Sequence, residues 1–247
     1  MARKAKQTAK PGPPDATLTL PGKTGEPLVV FPASAARSLR HMVTLLVANG
    51  TLPPRLALVA ALREEGVTYN ALALATILAH DYAGAVGLVE LNWEAPGLAR
   101  LAAGGTAAEA PAAPAGLAAV LTAQAALDDV LVGTGLPNLT LLPAGELPRE
   151  GREAIIRGAR LRELIEELAA RFDHLVLDVP ALAATSDAIP LARLGDGILL
   201  VIRQGVTPRR VVAAALDDLD QGTMLGVVLN RVKLATPRLI LKFIPQD

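Results

Sequence analysis

RFDHLVLDVPALAATSDAIPLARLGDGILLVIRQGVTPR, residues 171–209, decides the fold. Two short runs in it, HLVLDV (174–179) and GILLVI (197–202), are apolar on both alternations. A strand of that kind has no face to give to water, so it reads as covered on both sides. The same kind of run recurs at RLALVAAL (55–62), AVGLVEL (85–91), LTLLPAG (139–145) and LGVVLN (225–230). Helical patterns lie between the runs. In RLRELIEELAARF (160–172), Leu161, Leu164, Ile165, Leu168 and Phe172 recur at helical spacing with charges on the other face. Thr207 is predicted to cap a helix running to about Asp220, with Pro208 in its first turn. GLAAVLTAQAALDDVL (116–131) reads as one helix, and Ser34 to Ala48 as another, ahead of the first core strand. Alternating strands and helices predict an α/β fold with a doubly wound, mostly parallel sheet and helices on both faces. Ligands of such sheets sit beyond the carboxyl ends of the strands. The loops to inspect are therefore 62–68, 91–97, 179–187, 203–207 and 230–234.

The chain has 247 residues, which suits one α/β domain. Lys plus Arg and Asp plus Glu number 24 each, so no global charge calls for nucleic acid as a partner. The absence of cysteine excludes disulfides, thiolate metal sites and cysteine nucleophiles. Three scattered histidines (His41, His80, His174) argue against a histidine metal cluster. Residues 1–20 read as a disordered, basic, Pro-rich tail and 21–247 as a single domain, with a flexible Ala/Gly/Pro loop at about 102–115. Arg3, Lys4, Lys6 and Lys10 could make a weak contact with an anionic membrane. No secretory signal and no run of roughly 18 apolar residues is present, so no membrane insertion is expected. A cytoplasmic, soluble protein is the expectation.

Four strand ends carry the candidate chemistry. The loop after the first core strand is Leu62-Arg63-Glu64-Glu65-Gly66-Val67-Thr68-Tyr69. A phosphate loop needs inward backbone N–H groups, a lysine on the phosphates and a hydroxyl for Mg²⁺. Gly66 and Thr68 suit two of those roles. Val67 stands where the lysine should be, and Glu64 where glycine would let the backbone approach. Two adjacent carboxylates would also face a polyanion. By itself this loop reads as an ordinary strand–helix turn sooner than as a phosphate site. Glu90 and Asn92 leave the next strand, followed by Trp93, a packing or rim residue. Asp178 closes a buried strand, where a P-loop protein holds Mg²⁺ through water, although an acid there can also cap a turn. Asp187 reads as the cap of the helix after it. Asn230 ends the last core strand, where its amide could meet an adenine edge.

In this order the segments resemble the cytoplasmic domain of bacterial tyrosine autokinases of capsule and exopolysaccharide synthesis, a branch of the ParA/MinD-like P-loop proteins. The resemblance covers about residues 30–234. It is carried by PNLTLLPAGELP (137–148), residues 171–209, LGVVLNRV (225–232) and APGL (95–98). It implies a nucleotide site whose Walker A lysine falls on Val67 and whose neighbouring glycine falls on Glu64. Gly66 and Thr68 remain. The second acidic motif, apolar-D-x-D-x-R, falls on Glu90, Asn92 and Glu94. The Walker B aspartate falls on Asp178 and remains, as does Pro180. The adenine-side Asn-Arg falls on Asn230 and Arg231. The subunit-contact motif E-x-x-R-x-x-R falls on Ser34, Arg37 and Arg40, without its glutamate. The tyrosine cluster is missing, the only tyrosines being Tyr69 and Tyr82.

The departures imply a catalytically degenerate pseudokinase acting as a regulatory or scaffold subunit. No cofactor is expected, although weak Mg-ATP or Mg-ADP binding through Gly66, Thr68, Asp178, Asn230 and Arg231 is compatible with the remnant. Any metal would sit on Thr68 and Asp178. The expected partner is a polysaccharide chain-length regulator, a membrane adaptor or an active kinase paralogue, with the protein peripheral at the inner membrane face through that partner. Arg37 and Arg40 share a helix face as an oligomer contact. Without the glutamate a monomer or dimer is expected. The alternatives are a residual ATPase or kinase, and a MinD/ParA-like positioning protein in which LILKFI (239–244) seeks membrane.

Overall fold

The computed structural model describes residues 17–102, 115–219 and 224–232. In chain order the elements are β1 (Leu18–Pro21), β2 (Pro27–Phe31), α1 (Ala33–Ala48), β3 (Arg55–Ala60), α2 (Val67–Asp81), β4 (Val86–Glu90) and α3 (Leu98–Ala102). There follow α4 (Leu117–Leu121), α5 (Leu127–Val130), β5 (Val132–Gly133), β6 (Leu139–Leu142), α6 (Arg152–Arg157), α7 (Ala159–Arg171), β7 (His174–Asp178), α8 (Ala188–Ala192), β8 (Gly197–Arg203), α9 (Arg209–Asp218) and β9 (Met224–Asn230).

Seven strands form one sheet in the order β5-β6-β4-β7-β3-β8-β9, parallel throughout except for the short β5. Alternate residues of each strand feed two separate cores. Leu56, Leu58, Val176, Leu199 and Val201 pack with α1, α2 and the β1–β2 hairpin. Ala57, Val59, Leu175, Leu177, Ile198 and Leu200 pack with α7 and α9. That two-sided burial explains the unbroken apolar runs. β3 and β7 are hydrogen-bonded neighbours, with Leu58 opposite Asp178, so the loop after β3 lies beside the end of β7.

Several expectations need correction. The tail expected to reach residue 20 stops sooner among the described residues, since Leu18–Pro21 pair antiparallel with β2 and bury Leu18 and Leu20. The helix expected over 116–131 is two. α4 ends at Leu121, Ala123 turns into the left-handed region at φ 57°, and Asp129 accepts the Ala126 N–H at 3.3 Å to start α5. Thr207 does not cap α9, whose N-cap is Pro208. Most of the tail, the loop at about 102–115 and the LILKFI segment lie outside the described residues. No described helix is long and apolar enough to cross a membrane.

Arg40 is not an exposed oligomer contact. Its guanidinium bonds Asp81 at the end of α2 at 2.7 Å, and both side chains are largely buried. Arg37 is on the exposed side of α1. Arg40→Ala should leave Asp81 with only His80 Nδ1, at 2.8 Å, and cost about 1.5–3 kcal/mol of stability, the range for hydrogen bonds to charged groups. Thermal unfolding should show this, and light scattering should show the oligomeric state unchanged.

Candidate functional site at the carboxyl ends of the strands

The loop after β3 has the backbone of a phosphate loop. Gly66 is left-handed at φ 91° and leads into the fifteen-residue helix α2. A Cβ on Gly66 would stand 2.4 Å from Asn230 Nδ2, so glycine is required both by conformation and by close approach. Glu64 is also left-handed, at φ 63°. An L side chain there costs about 1–2 kcal/mol, so a position where glycine was expected holds a residue at some strain. The first N–H groups of α2, on Val67, Thr68 and Tyr69, have no helical acceptor behind them.

The two glutamates of this loop do opposite things. Glu64 is exposed, whereas Glu65 is 2% exposed. Glu65 Oε2 accepts the Leu62 N–H at 2.9 Å. Its Oε1 accepts the Thr207 hydroxyl and the Arg203 N–H, the latter at 3.3 Å. The Glu65 carbonyl accepts Asn230 Nδ2 at 2.7 Å. Both glutamates line the cavity, but the Glu65 carboxylate is spent on hydrogen bonds within the protein, where two available carboxylates were expected. Glu65 is the residue that sequence reasoning missed as an organiser. Its one visible signal is adjacency to Gly66, which does not say where its side chain turns.

Asn230 and Arg231 are brought to the same place, but for different work than expected. The Asn230 amide is committed to Glu65 through Nδ2, and its Oδ1 accepts the Arg231 N–H at 2.8 Å. One N–H of that amide is left over. Two cavities meet at Gly66 and Tyr69. One, of about 390 Å³, is lined by the loop together with Asn92, Glu94, Arg100 and Val179. The other, of about 630 Å³, lies between α1, Tyr69 and the end of β9, with Asn230 and Arg231 in its wall.

The residues after β4 are occupied structurally. Glu90, fully buried, accepts N–H groups from Gly97 (2.5 Å), Leu98 (2.8 Å) and Ala144 (3.0 Å). Asn92 Oδ1 closes a turn by accepting the Ala95 N–H at 3.1 Å. Trp93 is buried and donates Nε1–H to the Ala144 carbonyl at 2.9 Å, a packing role as expected. Glu94 is surrounded by Arg152 (2.6 Å), Arg149 (3.5 Å) and Arg63 (3.6 Å). Asp187 stands at the N-cap position of α8 but makes no cap bond. Its carboxylate instead pairs with Arg157 at 3.5 Å and accepts from Thr185 at 3.4 Å.

Asp178 differs from all of these. It is fully buried, and neither carboxylate oxygen has a hydrogen-bond partner. Thr68 is near enough to favour its ionisation, although no bond of ordinary geometry joins them. Burial, then the charge of Glu90 one strand away, push the Asp178 carboxyl well above its usual range. Burial also raises Glu90, against its three N–H bonds and the charge of Arg100. Burial thus raises both carboxyls, and Asp178 the more, because Glu90 has three N–H donors and Asp178 has none. Thr68 and Asp178 are the pair that could hold a divalent cation. No group of three or more His, Cys, Asp or Glu forms a metal cluster among the described residues.

Fold and loop together define an α/β protein of the P-loop type. Its homologues are bacterial tyrosine kinases. The chain is 31% identical over 119 residues to the tyrosine-protein kinase CpsD of Streptococcus agalactiae, covering 47% of this chain and 51% of that one. It is 30% identical over 183 residues to the succinoglycan biosynthesis transport protein ExoP of Rhizobium meliloti, covering 72% of this chain and 22% of that one. It thus spans about half the length of the CpsD relatives it matches. The kinase domain of VpsO superposes with a TM-score of 0.72 at 26% identity, over 81% of this chain and 95% of that one. MinD of Pyrococcus horikoshii, solved with Mg-ADP, shares the fold with a TM-score of 0.56 at 21% identity, over 76% of each chain. No family model matches.

Two outcomes test this geometry. Gly66→Ala should cost at least about 1–2 kcal/mol from the left-handed backbone, with the Asn230 clash added. Asp178→Asn should remove a pH dependence. A carboxyl raised by folding stabilises the protein fully below its unfolded pKa of about 3.9, and that stability is lost as pH rises. The variant should therefore equal the wild type near pH 4 and exceed it in melting temperature at neutral pH. The gap between the two should widen upward from acid.

Proposed function

We propose that the chain is a catalytically inactive relative of the bacterial tyrosine kinases, serving as a regulatory or scaffold subunit in exopolysaccharide or capsule synthesis. The observation that carries this reading is Val67. It is the first residue of α2, directly after the left-handed Gly66, where a phosphate loop places its lysine. Phosphoryl transfer depends on positioned charge, and an apolar side chain supplies none. Three further features support it. Glu64 puts a carboxylate at the rim of the same cavity. The Leu62 N–H is spent on Glu65, and the Asn230 amide is half spent on the loop. The polysaccharide context comes from ExoP, a succinoglycan biosynthesis transport protein by name.

The metal corner favours a second reading. The unpartnered Asp178 carboxyl beside Thr68 suits a hydrated Mg²⁺, so those residues fit the cation while the rest of the loop fits a triphosphate poorly. A residual ATP-binding protein would use Thr68 and Asp178 for the metal and the α2 N-terminus for phosphate.

Calorimetric titration with Mg-ATP and Mg-ADP separates the two. The inactive reading expects no saturation in the micromolar range and no phosphotyrosine on the protein after incubation with Mg-ATP. Micromolar affinity with turnover would overturn it. The double variant Val67→Lys, Glu64→Gly should gain nucleotide affinity by tenfold or more, roughly one charge-assisted contact. No gain would mean that the loop is not a phosphate loop in this register.

A further inference from the structure

One carboxylate, Glu94, is ringed by three guanidinium groups supplied by two separate segments. Arg152 sits 2.6 Å from Oε1, and Arg149 and Arg63 sit 3.5 and 3.6 Å from Oε2. One negative charge against three positive leaves a surplus of two. The three arginines are not equivalent. Arg152 is largely buried and also donates to the Leu147 carbonyl at 2.5 Å, so it anchors the carboxylate. The Arg63 and Arg149 side chains are 56% and 81% exposed and approach the same oxygen of Glu94 at long range. Each keeps several N–H donors for an incoming anion.

Arg63 lines the 390 Å³ cavity, whose walls include the apolar Leu101, Val179 and Ala181 and the ring of Tyr69, and Arg149 meets Glu94, another residue of that wall, from outside the lining. Glu64, Glu65 and Glu94 line that cavity against Arg63 and Arg100, so a polyphosphate within it would meet more carboxylates than cations. A ligand with one phosphoryl group outside and an uncharged ring inside meets arginines with the first and apolar walls with the second. Arginine recognises phosphate by paired N–H donation, and an aryl phosphate combines both features. The relatives are named tyrosine-protein kinases, so the modified side chain their chemistry produces is an aryl phosphate of this kind.

We propose that Arg63 and Arg149, held around Glu94 with Arg152, form a recognition site for phosphotyrosine on a protein partner, with the aryl ring entering the adjoining cavity. The proposal rests on the inactive reading: the chain would bind the product of a partner's phosphorylation and transfer nothing itself. Glu94 acts as an internal anion that holds the arginines in place until the phosphoryl group competes for them.

The test uses the full chain and three probes: N-acetyl phosphotyrosine amide, N-acetyl tyrosine amide and inorganic phosphate. Fluorescence of Trp93, the chain's single tryptophan and the neighbour of Glu94, reports binding. The phosphotyrosine compound should bind saturably, more weakly as salt rises. The unphosphorylated compound should not bind, and inorganic phosphate should bind at least about tenfold more weakly, for want of the ring. Arg149→Ala and Arg63→Ala should each weaken phosphotyrosine binding by about tenfold with melting temperature unchanged, since both side chains are mostly in solvent. Glu94→Gln should tighten binding several-fold by removing the competing anion. The proposal is overturned by any of four results. They are no saturation at millimolar phosphotyrosine, equal affinity for inorganic phosphate, undiminished affinity in the arginine variants, or unchanged or weaker affinity in a folded Glu94→Gln. Failure here with no nucleotide turnover leaves the inactive reading standing. Turnover of ATP with phosphotyrosine binding intact removes that reading instead.

Discussion

The buried carboxylate of Glu65 holds the strand ends together. It closes its own loop through the Leu62 N–H and reaches across to Thr207 and the Arg203 N–H at the end of β8. Its carbonyl takes the amide of Asn230 at the end of β9. Three loops that follow three different strands are thereby fixed by one residue. Nothing in that arrangement requires a phosphate or a lysine. The conformation of a phosphate loop is thus maintained by hydrogen bonds to neighbouring strand ends. The charge on the cavity side can change while the backbone keeps its shape. That separation is the physical reason why Val67 and Glu64 can occupy this loop without dissolving it.

The sheet was legible in the sequence because its physics is periodic. A strand buried on both faces is apolar along its interior, and β3, β4, β7 and β8 are, with polar side chains only at their end residues. The α7 stripe was legible for the same reason, with Leu161, Leu164, Ile165 and Leu168 all buried. The site was legible in part. Gly66, Thr68 and Asp178 were placed by their position at strand ends, and the structure brings them together. What sequence could not convey was the partner of each polar group. Glu64 and Glu65 are chemically equal in the chain, yet one is in solvent and the other is the organiser of the loop. Thr207 has the look of a cap because it precedes a Pro and a helix. A distant carboxylate outcompetes the cap site for its hydroxyl. Arg40 sits on a helix face shared with Arg37, but its acceptor is Asp81, 41 residues on. The break between α4 and α5 was hidden for a related reason. Alanine-rich sequence favours helix, while the Ala126–Asp129 hydrogen bond that restarts the chain is tertiary in its consequences.

Glu94 shows how a sign reversal is absorbed. Where the resemblance implies an arginine, the chain has an acid, and a lone acid at this rim would be poorly placed beside Glu64 and Glu90. Arg152 neutralises it at close range, and Arg63 and Arg149 add further positive charge from solvent. The reversal is therefore local, and the positive charge immediately around Glu94 exceeds its own. The exposed pairs contribute little to stability individually, because solvent screens them. Their weight lies in what approaches from outside.

Asp178 is the least compensated residue in this arrangement, fully buried and without a hydrogen-bond partner. A fully buried carboxylate with no donor and a second carboxylate one strand away would be costly if ionised. Glu90 escapes that cost because three backbone N–H groups solvate it. Asp178 has only Thr68 nearby and so moves toward its neutral form. The consequence is a site that can keep the acid without a cation to balance it.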